Sequence, residues 1–183
     1  MNAPTKRMTA EEFVLWAGRQ ERGRYELIDG LVVQMNAERS VHERIKLNIA
    51  IALRNALRRS GLKGETYGDG MAVRVTEHLV HEPDSLVRLG APLHDDATIV
   101  TDPVIVVEVL SPSTGPVDTS TKLANYFTLP SVENYLVVNT TARSVQHYYR
   151  GSDGRPTMRV VTEGVLDCTP PGLQVGVEEF FAD

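Results

Sequence analysis

The amino-acid sequence predicts an α/β or α+β protein in which helices flank a mixed β-sheet. The run "VIVVEVL" within residues 103–110 is apolar and β-branched, which is typical of a strand covered on both faces. Between residues 40 and 60 an apolar residue recurs every four positions, which indicates a long amphipathic helix. A second helical pattern at 118–130 precedes two strand-like segments. The order helix, hairpin, helix, strands, helix, strands is that of layers built around a mixed sheet.

Composition restricts the class of protein. The 183 residues predict one domain spanning 1–183, and 42% hydrophobic with 23% charged residues is ordinary for a globular chain. The single cysteine, Cys168, excludes an internal disulfide and favours a reducing, cytoplasmic location. The N-terminus has no apolar signal-peptide core, and no apolar run approaches the roughly 18 residues of a membrane span. We therefore expect no membrane partner.

A short helix and a hairpin are predicted first along the chain. The helix "MTAEEFVLWAG" begins with a capping-box pattern in which Thr9 is followed three residues later by Glu12. The segment "YELIDGLVVQM" (25–35) predicts a hairpin, because Asp29-Gly30 is a typical two-residue turn between apolar runs. Asp29 is therefore interpreted as a turn residue.

The long helix has recognisable start and stop signals. Ser40 with Glu43 repeats the capping-box pattern at its start, and Gly61 is expected to end it. The apolar side of the helix is expected to face the core through Ile45, Ile49, Leu53 and Leu57.

The rest of the chain is predicted to be mostly strands. The helix at 118–130 is the exception, with Asp118 as its expected N-cap and with Leu123 and Phe127 facing inward. The loop "SPSTGP" before it contains two prolines and is expected to be stiff. Strands are predicted within 68–78, 81–90, 103–110, "ENYLVVN" and "RSVQHYYR", and the two phenylalanines of the tail "LQVGVEEFFAD" are expected to dock on the core.

Basic residues are concentrated between positions 39 and 63. This segment holds seven Lys or Arg residues against one acid, Glu43, whereas the whole chain has a net charge of −5. One interpretation is a solvated helix face, and the other is a stripe that faces phosphates. In the second interpretation, four residues are the candidates for binding nucleic acid: Arg44, Lys46, Arg54 and Arg58.

Three ionisable residues occupy unusual places. Asp84 follows Pro83 directly ahead of an apolar strand, Glu108 interrupts the buried run, and Lys122 lies in the first turns of the following helix. If the two strands pair, the carboxylates repel each other, and a divalent cation such as Mg²⁺ would remove that repulsion. The alternative is that Asp84 caps a loop and Glu108 forms an ion pair with Lys122 or with an arginine.

Several histidines and the lone cysteine are interpreted as residues without a catalytic or metal-binding role. His147 belongs to an alternating strand pattern and is expected to face the core or the sheet surface. Cys168 has no base nearby in sequence, so an unreactive thiol is expected. Two polar segments are interpreted as solvated loops rather than transition-metal sites: His78, His81 and Glu82 in "HLVHEPD", and His94 with Asp95 and Asp96.

Several motifs occur in a set order along the chain. They are "YELIDG", a helix that begins with Ser40-Val41-His42, "PD", "VVEVLSPST" and "DxxxKLxxYxxLPSVxxYLVVN". In this order they resemble the Uma-type family of bacterial proteins, which is placed in the PD-(D/E)xK nuclease superfamily with its restriction-endonuclease-like fold. The resemblance covers about residues 8–150 and, more loosely, the tail.

The resemblance implies roles for individual residues. Asp84 and Glu108 would be the metal-binding carboxylates for Mg²⁺ (or Mn²⁺). The superfamily usually has its catalytic lysine two residues after the second acid, but Leu110 stands there, and Lys122 on the following helix takes its place. Glu26 matches an additional acid as an accessory ligand or water-positioning group. Two further residues match family positions without a defined role: His42 and Tyr126.

The resemblance also implies a function. We expect a Mg²⁺-dependent endonuclease that hydrolyses phosphodiester bonds in DNA without evident sequence specificity, steered by the basic helix and working as a homodimer by analogy. A catalytically inactive module that uses the same fold to bind nucleic acid or protein is the alternative. A metal-dependent hydrolase of a small phosphoester is a third, since the charge outside 39–63 is acidic.

Overall fold

The computed structural model describes residues 7–110 and 116–182, with side chains from Thr119 onward in the second range. In these ranges the helices are α1 (Ala10–Ala17), α2 (Ser40–Ser60), α3 (Pro116–Tyr126) and α4 (Val177–Phe180). The strands are β1 (Tyr25–Ile28), β2 (Leu31–Gln34), β3 (Gly64–Tyr67), β4 (Ala72–Thr76), β5 (Leu79–His81), β6 (Ser85–Leu89), β7 (Ile99–Val100), β8 (Pro103–Leu110), β9 (Asn134–Asn139), β10 (Ser144–Arg150), β11 (Pro156–Val161), β12 (Val165–Cys168) and β13 (Leu173–Gly176).

A six-stranded mixed sheet forms the centre of the fold. Its strand order is β11-β10-β9-β8-β6-β3, and β8 and β9 are parallel whereas the other neighbours are antiparallel. A parallel pair needs a crossover connection, and α3 lies in the connection between β8 and β9. The predicted α/β class with a central mixed sheet and flanking helices is confirmed.

A second, five-stranded sheet was not predicted. Its order is β2-β1-β5-β4-β7, and a separate hairpin pairs β12 with β13. The strands of this sheet have two to five residues each, too short for alternation of apolar residues to be distinguished from a loop. The same shortness explains why β3, β5, β7 and β12 were not predicted, and β11, which has six residues, was also missed.

Apolar layers cover both faces of the six-stranded sheet. On one face α2, α4 and the β12–β13 hairpin pack through residues such as Leu53, Phe180 and Leu173. On the other face α3 and the five-stranded sheet pack through Tyr126 and Val73. The strand β8 is thus covered on both sides, as its branched sequence predicts. The phenylalanine pair of the tail docks on the core as expected.

The local signals at chain turns are mostly confirmed. Thr9 and Glu12 form the predicted capping box of α1. The β1–β2 turn places Asp29 at φ 51 and Gly30 at φ 77, so both adopt the left-handed conformation that this turn requires. Gly61 ends α2 at φ 70 in the same conformation, which costs glycine little because it has no Cβ.

Two predictions about helix starts have other outcomes. The capping box at Ser40 is wrong, because Ser40 is already the first helical residue and the N-cap is Arg39, without a side-chain bond. The helix α3 begins at Pro116, a position that proline favours because its ring fixes φ and it has no N–H to leave unpaired. Asp118 lies inside this helix, so its assignment as the N-cap is wrong. Most of the "SPSTGP" loop lies outside the described residues.

The structural interpretation of His147 and Cys168 agrees with their burial. His147 is 1% exposed, its Nε2 lies 2.7 Å from Asn134 Oδ1, and the Arg159 Nε–H donates to its Nδ1 at 3.1 Å. Burial and the charge of Arg159 lower the pKa of His147 to about 4. Burial raises the pKa of the Cys168 thiol to about 12, which disfavours the reactive thiolate.

Candidate active site

Strand pairing brings the two predicted carboxylates together. Asp84 directly precedes β6, whose Ser85 pairs with Val107 of β8. The Asp84 backbone N–H donates to the Val107 carbonyl at 3.0 Å, and the Val109 N–H donates to Asp84 Oδ2 at 2.6 Å. Asp84 is thus fixed beside the strand segment that carries Glu108. The expectation that the two strands are neighbours is confirmed.

Glu108 has partners that explain an acid inside an apolar strand. Lys122 Nζ lies 3.1 Å from both Glu108 carboxylate oxygens, and the Tyr126 hydroxyl donates to Oε1 at 3.0 Å. Burial raises the pKa of Glu108 to about 8, with Lys122 opposing the rise and Asp84 and Glu26 adding to it. The ion pair with Lys122 satisfies Glu108 by itself, so the case for a metal depends on the neighbouring carboxylates.

Lys122 lies between two acids. Its ammonium is also 3.0 Å from Glu26 Oε1, and its side chain is 7% exposed. Burial alone would lower the pKa of Lys122, but Glu108 and Glu26 hold that pKa above its ordinary value. The helix α3 therefore delivers a permanent positive charge to the C-terminal part of β8, as the resemblance implies for this residue.

Glu26 comes from the second sheet and completes this part of the site. His81 Nδ1 lies 3.4 Å from Glu26 Oε1, and the Glu82 backbone N–H donates to the same oxygen at 3.0 Å. Burial would raise the pKa of Glu26, but the bond with His81 and the charge of Lys122 lower it to about 2. Glu26 is therefore ionised across the working pH range. Lys122 connects Glu26 of the five-stranded sheet to Glu108 of the six-stranded sheet.

The interpretation of His81 and Glu82 as part of a solvated loop is wrong. They are 2% and 9% exposed. The strand β5 is hydrogen-bonded between β1 and β4, which draws its last residue, His81, into the protein. The Asn125 amide lies 3.0 Å from His81 Nε2. A buried strand of three residues leaves too short a pattern to be recognised.

The structure also places Lys46 differently from the expected phosphate-facing stripe. Its side chain is 4% exposed and its ammonium lies 2.7 Å from Asp84 Oδ1 and 3.3 Å from Asp69 Oδ2, with a further ion pair to Glu38. The helical period contains the signal for this position. Lys46 is three residues before Ile49 and seven before Leu53, so it belongs to the buried side of α2.

Arg24, Glu38 and Asp69 are site residues that the sequence analysis missed. Arg24 Nε lies 2.7 Å from Glu82 Oε1, and the same guanidinium pairs with Glu38 at 3.3 Å and with Asp69. Its position next to the "YELIDG" motif is the only hint in the sequence. Asp69 lies between two glycines and resembles an ordinary turn residue.

The remaining candidates lie on different surfaces. His42 is buried, and its Nε2 lies 3.0 Å from the Leu110 carbonyl, so it connects α2 to the end of β8. Arg44, Arg54 and Arg58 are exposed, as the stripe interpretation requires. At 3.6 residues per turn, however, Arg44 and Lys46 are about 200° apart around the helix. Arg44 therefore lies on nearly the opposite side of α2 from Lys46, whereas Arg54 and Arg58 are about 80° and 120° from Lys46 around the helix.

The described site has more acids than bases. Divalent cations such as Mg²⁺ prefer hard oxygen ligands, and two carboxylates from adjacent strands supply them. The excess of acids also favours binding of a divalent cation, because the cation would balance the negative charge that the basic side chains do not neutralise. Around Asp84 and Glu108, six carboxylates share three basic side chains: Glu26, Glu38, Asp69, Glu82, Asp84 and Glu108 with Arg24, Lys46 and Lys122. The donor set therefore fits a divalent metal.

The strand order and the flanking helices define an α/β fold of the restriction-endonuclease-like class. A crystal structure described as "a putative nuclease belonging to DUF820" from Anabaena variabilis has this fold, with a TM-score of 0.75 and 14% sequence identity. The similarity covers 95% of this chain and 97% of that one. The model of the Uma2 family, described as "Putative restriction endonuclease", matches residues 10–179. The chain belongs to the Uma2 family, and the predicted resemblance is confirmed.

Two curated relatives come from Synechocystis sp. and have no described activity. The uncharacterized protein slr1290 is 28% identical over 154 residues, which are 84% of this chain and 80% of the relative. The uncharacterized protein sll1609 is 28% identical over 154 residues, covering 82% and 85%. Across the residues that the structure describes, none of the helices combines the length and the apolar character that crossing a membrane requires.

Proposed function

We propose that this protein is a Mg²⁺- or Mn²⁺-dependent endonuclease that hydrolyses phosphodiester bonds in DNA without sequence specificity. The observation that carries the proposal is the convergence of Asp84, Glu108 and Lys122 from two strands and a helix. Family membership supports nuclease chemistry. The homodimeric state, the single-domain organisation and the cytoplasmic location stay predictions.

Asp84 and Glu108 would hold the metal. When bound, such a cation lowers the pKa of a coordinated water and screens a phosphate oxygen. The Val109 N–H fixes one oxygen of Asp84, and Lys122 with Tyr126 fixes Glu108, so neither carboxylate has to be ordered during the reaction.

Lys122 and Glu26 have complementary roles beside the metal ligands. The Lys122 ammonium is buried and permanently charged, so it would stabilise the negative charge that develops on the phosphate in the transition state. Glu26 is held by the Glu82 N–H and the Lys122 ammonium, lies 3.4 Å from the His81 ring and stays ionised, so it would position the attacking water. His81 thereby acts through Glu26 and is a positioning residue.

Plasmid nicking tests the proposal. We expect wild-type protein with Mg²⁺ or Mn²⁺ to convert supercoiled plasmid to the open circle, and Asp84→Asn to lose at least about a hundredfold in rate, a typical cost of losing one catalytic electrostatic interaction. Asp95→Asn is the matched control, since Asp95 is an exposed acid of a loop. Equal rates for wild type and Asp84→Asn would contradict the proposal, as would wild-type protein that does not nick at all.

Binding to DNA should depend on the exposed arginines of α2. Each phosphate contact contributes roughly one unit to the slope of log affinity against log salt concentration. We expect the double variant Arg54→Gln/Arg58→Gln to reduce that slope by about two units, measured on labelled duplex DNA in EDTA. The double variant Arg19→Gln/Arg22→Gln, which removes two exposed arginines outside residues 39–63, is the matched control. An unchanged slope would remove the stripe from the DNA-binding surface.

The second candidate is a catalytically inactive binding module. The observation that favours it is the Lys122–Glu108 ion pair, which satisfies both residues without a metal. Such a module would bind DNA in EDTA with the same salt dependence. It would not nick the plasmid in Mn²⁺, either as wild type or as Asp84→Asn. The plasmid experiment therefore separates the two functions.

A further inference from the structure

Lys46 contacts the carboxylate oxygen that a metal ligand would need. One oxygen of Asp84, Oδ2, is fixed by the Val109 N–H, whereas the other, Oδ1, lies 2.7 Å from the Lys46 ammonium. The side chain of Lys46 is 4% exposed, so water screens this contact little. A cation bound through Oδ1 would therefore meet a positive charge on the same oxygen.

A second acidic position for Lys46 is already formed. Its ammonium pairs with Glu38 and lies 3.3 Å from Asp69 Oδ2, in addition to its contact with Asp84. Arg24 pairs with both of these acids and holds them in place. Lys46 could thus leave Asp84 and remain fully paired, with only rotamer changes along its flexible side chain.

We propose that Lys46 is a built-in counter-ion of the metal site. It neutralises Asp84 in the metal-free protein, and it gives up Asp84 and keeps Glu38 and Asp69 when a divalent cation takes Asp84. This inference rests on the proposed function only in placing the metal at Asp84 and Glu108. Lys46 therefore weakens metal binding while it protects the metal-free fold from an unpaired buried carboxylate.

The first test is Mn²⁺ binding by titration calorimetry on the full chain. We expect Lys46→Met to bind Mn²⁺ about tenfold more tightly than wild type, a factor usual for two coupled sites. Lys63→Met, which removes an exposed lysine without an ion pair among the described residues, should bind like wild type. Equal or weaker binding by Lys46→Met overturns the proposal.

A second variant covers the case in which Lys46→Met does not fold. Glu38→Gln keeps Lys46 paired with Asp84 but impairs its second position, so it should bind Mn²⁺ more weakly than wild type. Glu163→Gln is the control for general loss of one negative charge, because Glu163 is exposed, whereas a Glu43 oxygen lies within 4.8 Å of Glu38 and Asp69 oxygens and could contact the metal itself. If Glu38→Gln and Glu163→Gln bind Mn²⁺ equally well, the proposal fails.

Combining the changes separates the counter-ion from a direct ligand. If Glu38 acts through Lys46, Glu38→Gln should have no effect on Mn²⁺ binding in the Lys46→Met background. An effect of the same size in both backgrounds means that Glu38 itself binds the metal, which overturns the proposal. If the wild-type protein does not bind Mn²⁺, the proposed function is refuted together with the counter-ion. If the wild-type protein binds Mn²⁺ and Lys46→Met binds it with the same affinity, only the counter-ion role is refuted.

Discussion

Replacing Lys122 with methionine should lower the free energy of unfolding of the metal-free protein by about 3–5 kcal/mol. Methionine has a similar length but no charge, so Glu26 and Glu108 would lose their shared cation at a position where Lys122 is 7% exposed. Glu26 would remain as a buried carboxylate without a lysine in contact, and water could not solvate it. Glu108, whose pKa is already raised to about 8, would lose its bond with the ammonium. Urea denaturation in EDTA, followed by circular dichroism, measures the loss.

The exposed Lys63→Met variant is the control for this stability change, because Lys63 lies outside the helices and strands. It should unfold within about 0.5 kcal/mol of wild type, the usual range for surface substitutions. A loss below about 1 kcal/mol for Lys122→Met would mean that the two acids do not depend on this ammonium, and the charge arrangement of the site would have to be revised.

Replacing Glu108 with glutamine should abolish stabilisation by Mn²⁺. At about a hundred times its Kd, a ligand that binds only the folded state stabilises it by about 2.7 kcal/mol. Glutamine keeps the shape of the side chain and a neutral oxygen, but it removes one of the two charged ligands. The measurement is a thermal shift with increasing Mn²⁺, and Glu163→Gln, an exposed acid in a turn, should retain the wild-type response.

The same variant should change the pH dependence of the metal-free protein. The folded-state pKa of Glu108 is raised from 4.5 to about 8, so between these values the folded protein holds a proton that the unfolded chain releases. The contribution of Glu108 to stability is therefore present below pH 4.5 and is lost as the pH rises through about 8. In EDTA, the free energy of unfolding of Glu108→Gln should fall less than that of wild type as the pH rises from 4.5 to about 8. Parallel curves would show that Glu108 is already ionised without metal.

The sequence predicted that Asp84, Glu108 and Lys122 converge because three signals were independent. A carboxylate inside a branched apolar strand is conspicuous, "PD" ahead of another strand suggested a neighbour, and the motif order pointed to Lys122. Strand pairing then confirmed that Asp84 and Glu108 are adjacent. What could not be predicted is how Glu108 shares Lys122 with Glu26, because Glu26 arrives from a sheet that the sequence did not reveal.

The errors at the site have a common physical cause. Lys46 was assigned by charge when its helical phase places it on the buried side of α2. His81 and Glu82 were assigned by polarity when short strands carry them inside. In both cases the buried side chain has a partner distant in sequence, Asp84 for Lys46 and Asn125 for His81. Composition within a short window does not identify such a partner.

The acid and the amine of this site arrive on different elements, Glu108 on β8 and Lys122 on α3. Position 110, where the superfamily would place its lysine, is a leucine packed among apolar side chains. The pairing of the two charges therefore depends on contact in space and not on a fixed spacing along one strand. A sequence search that requires a lysine two residues after the second acid would miss this arrangement, whereas a comparison of three-dimensional structures would detect it.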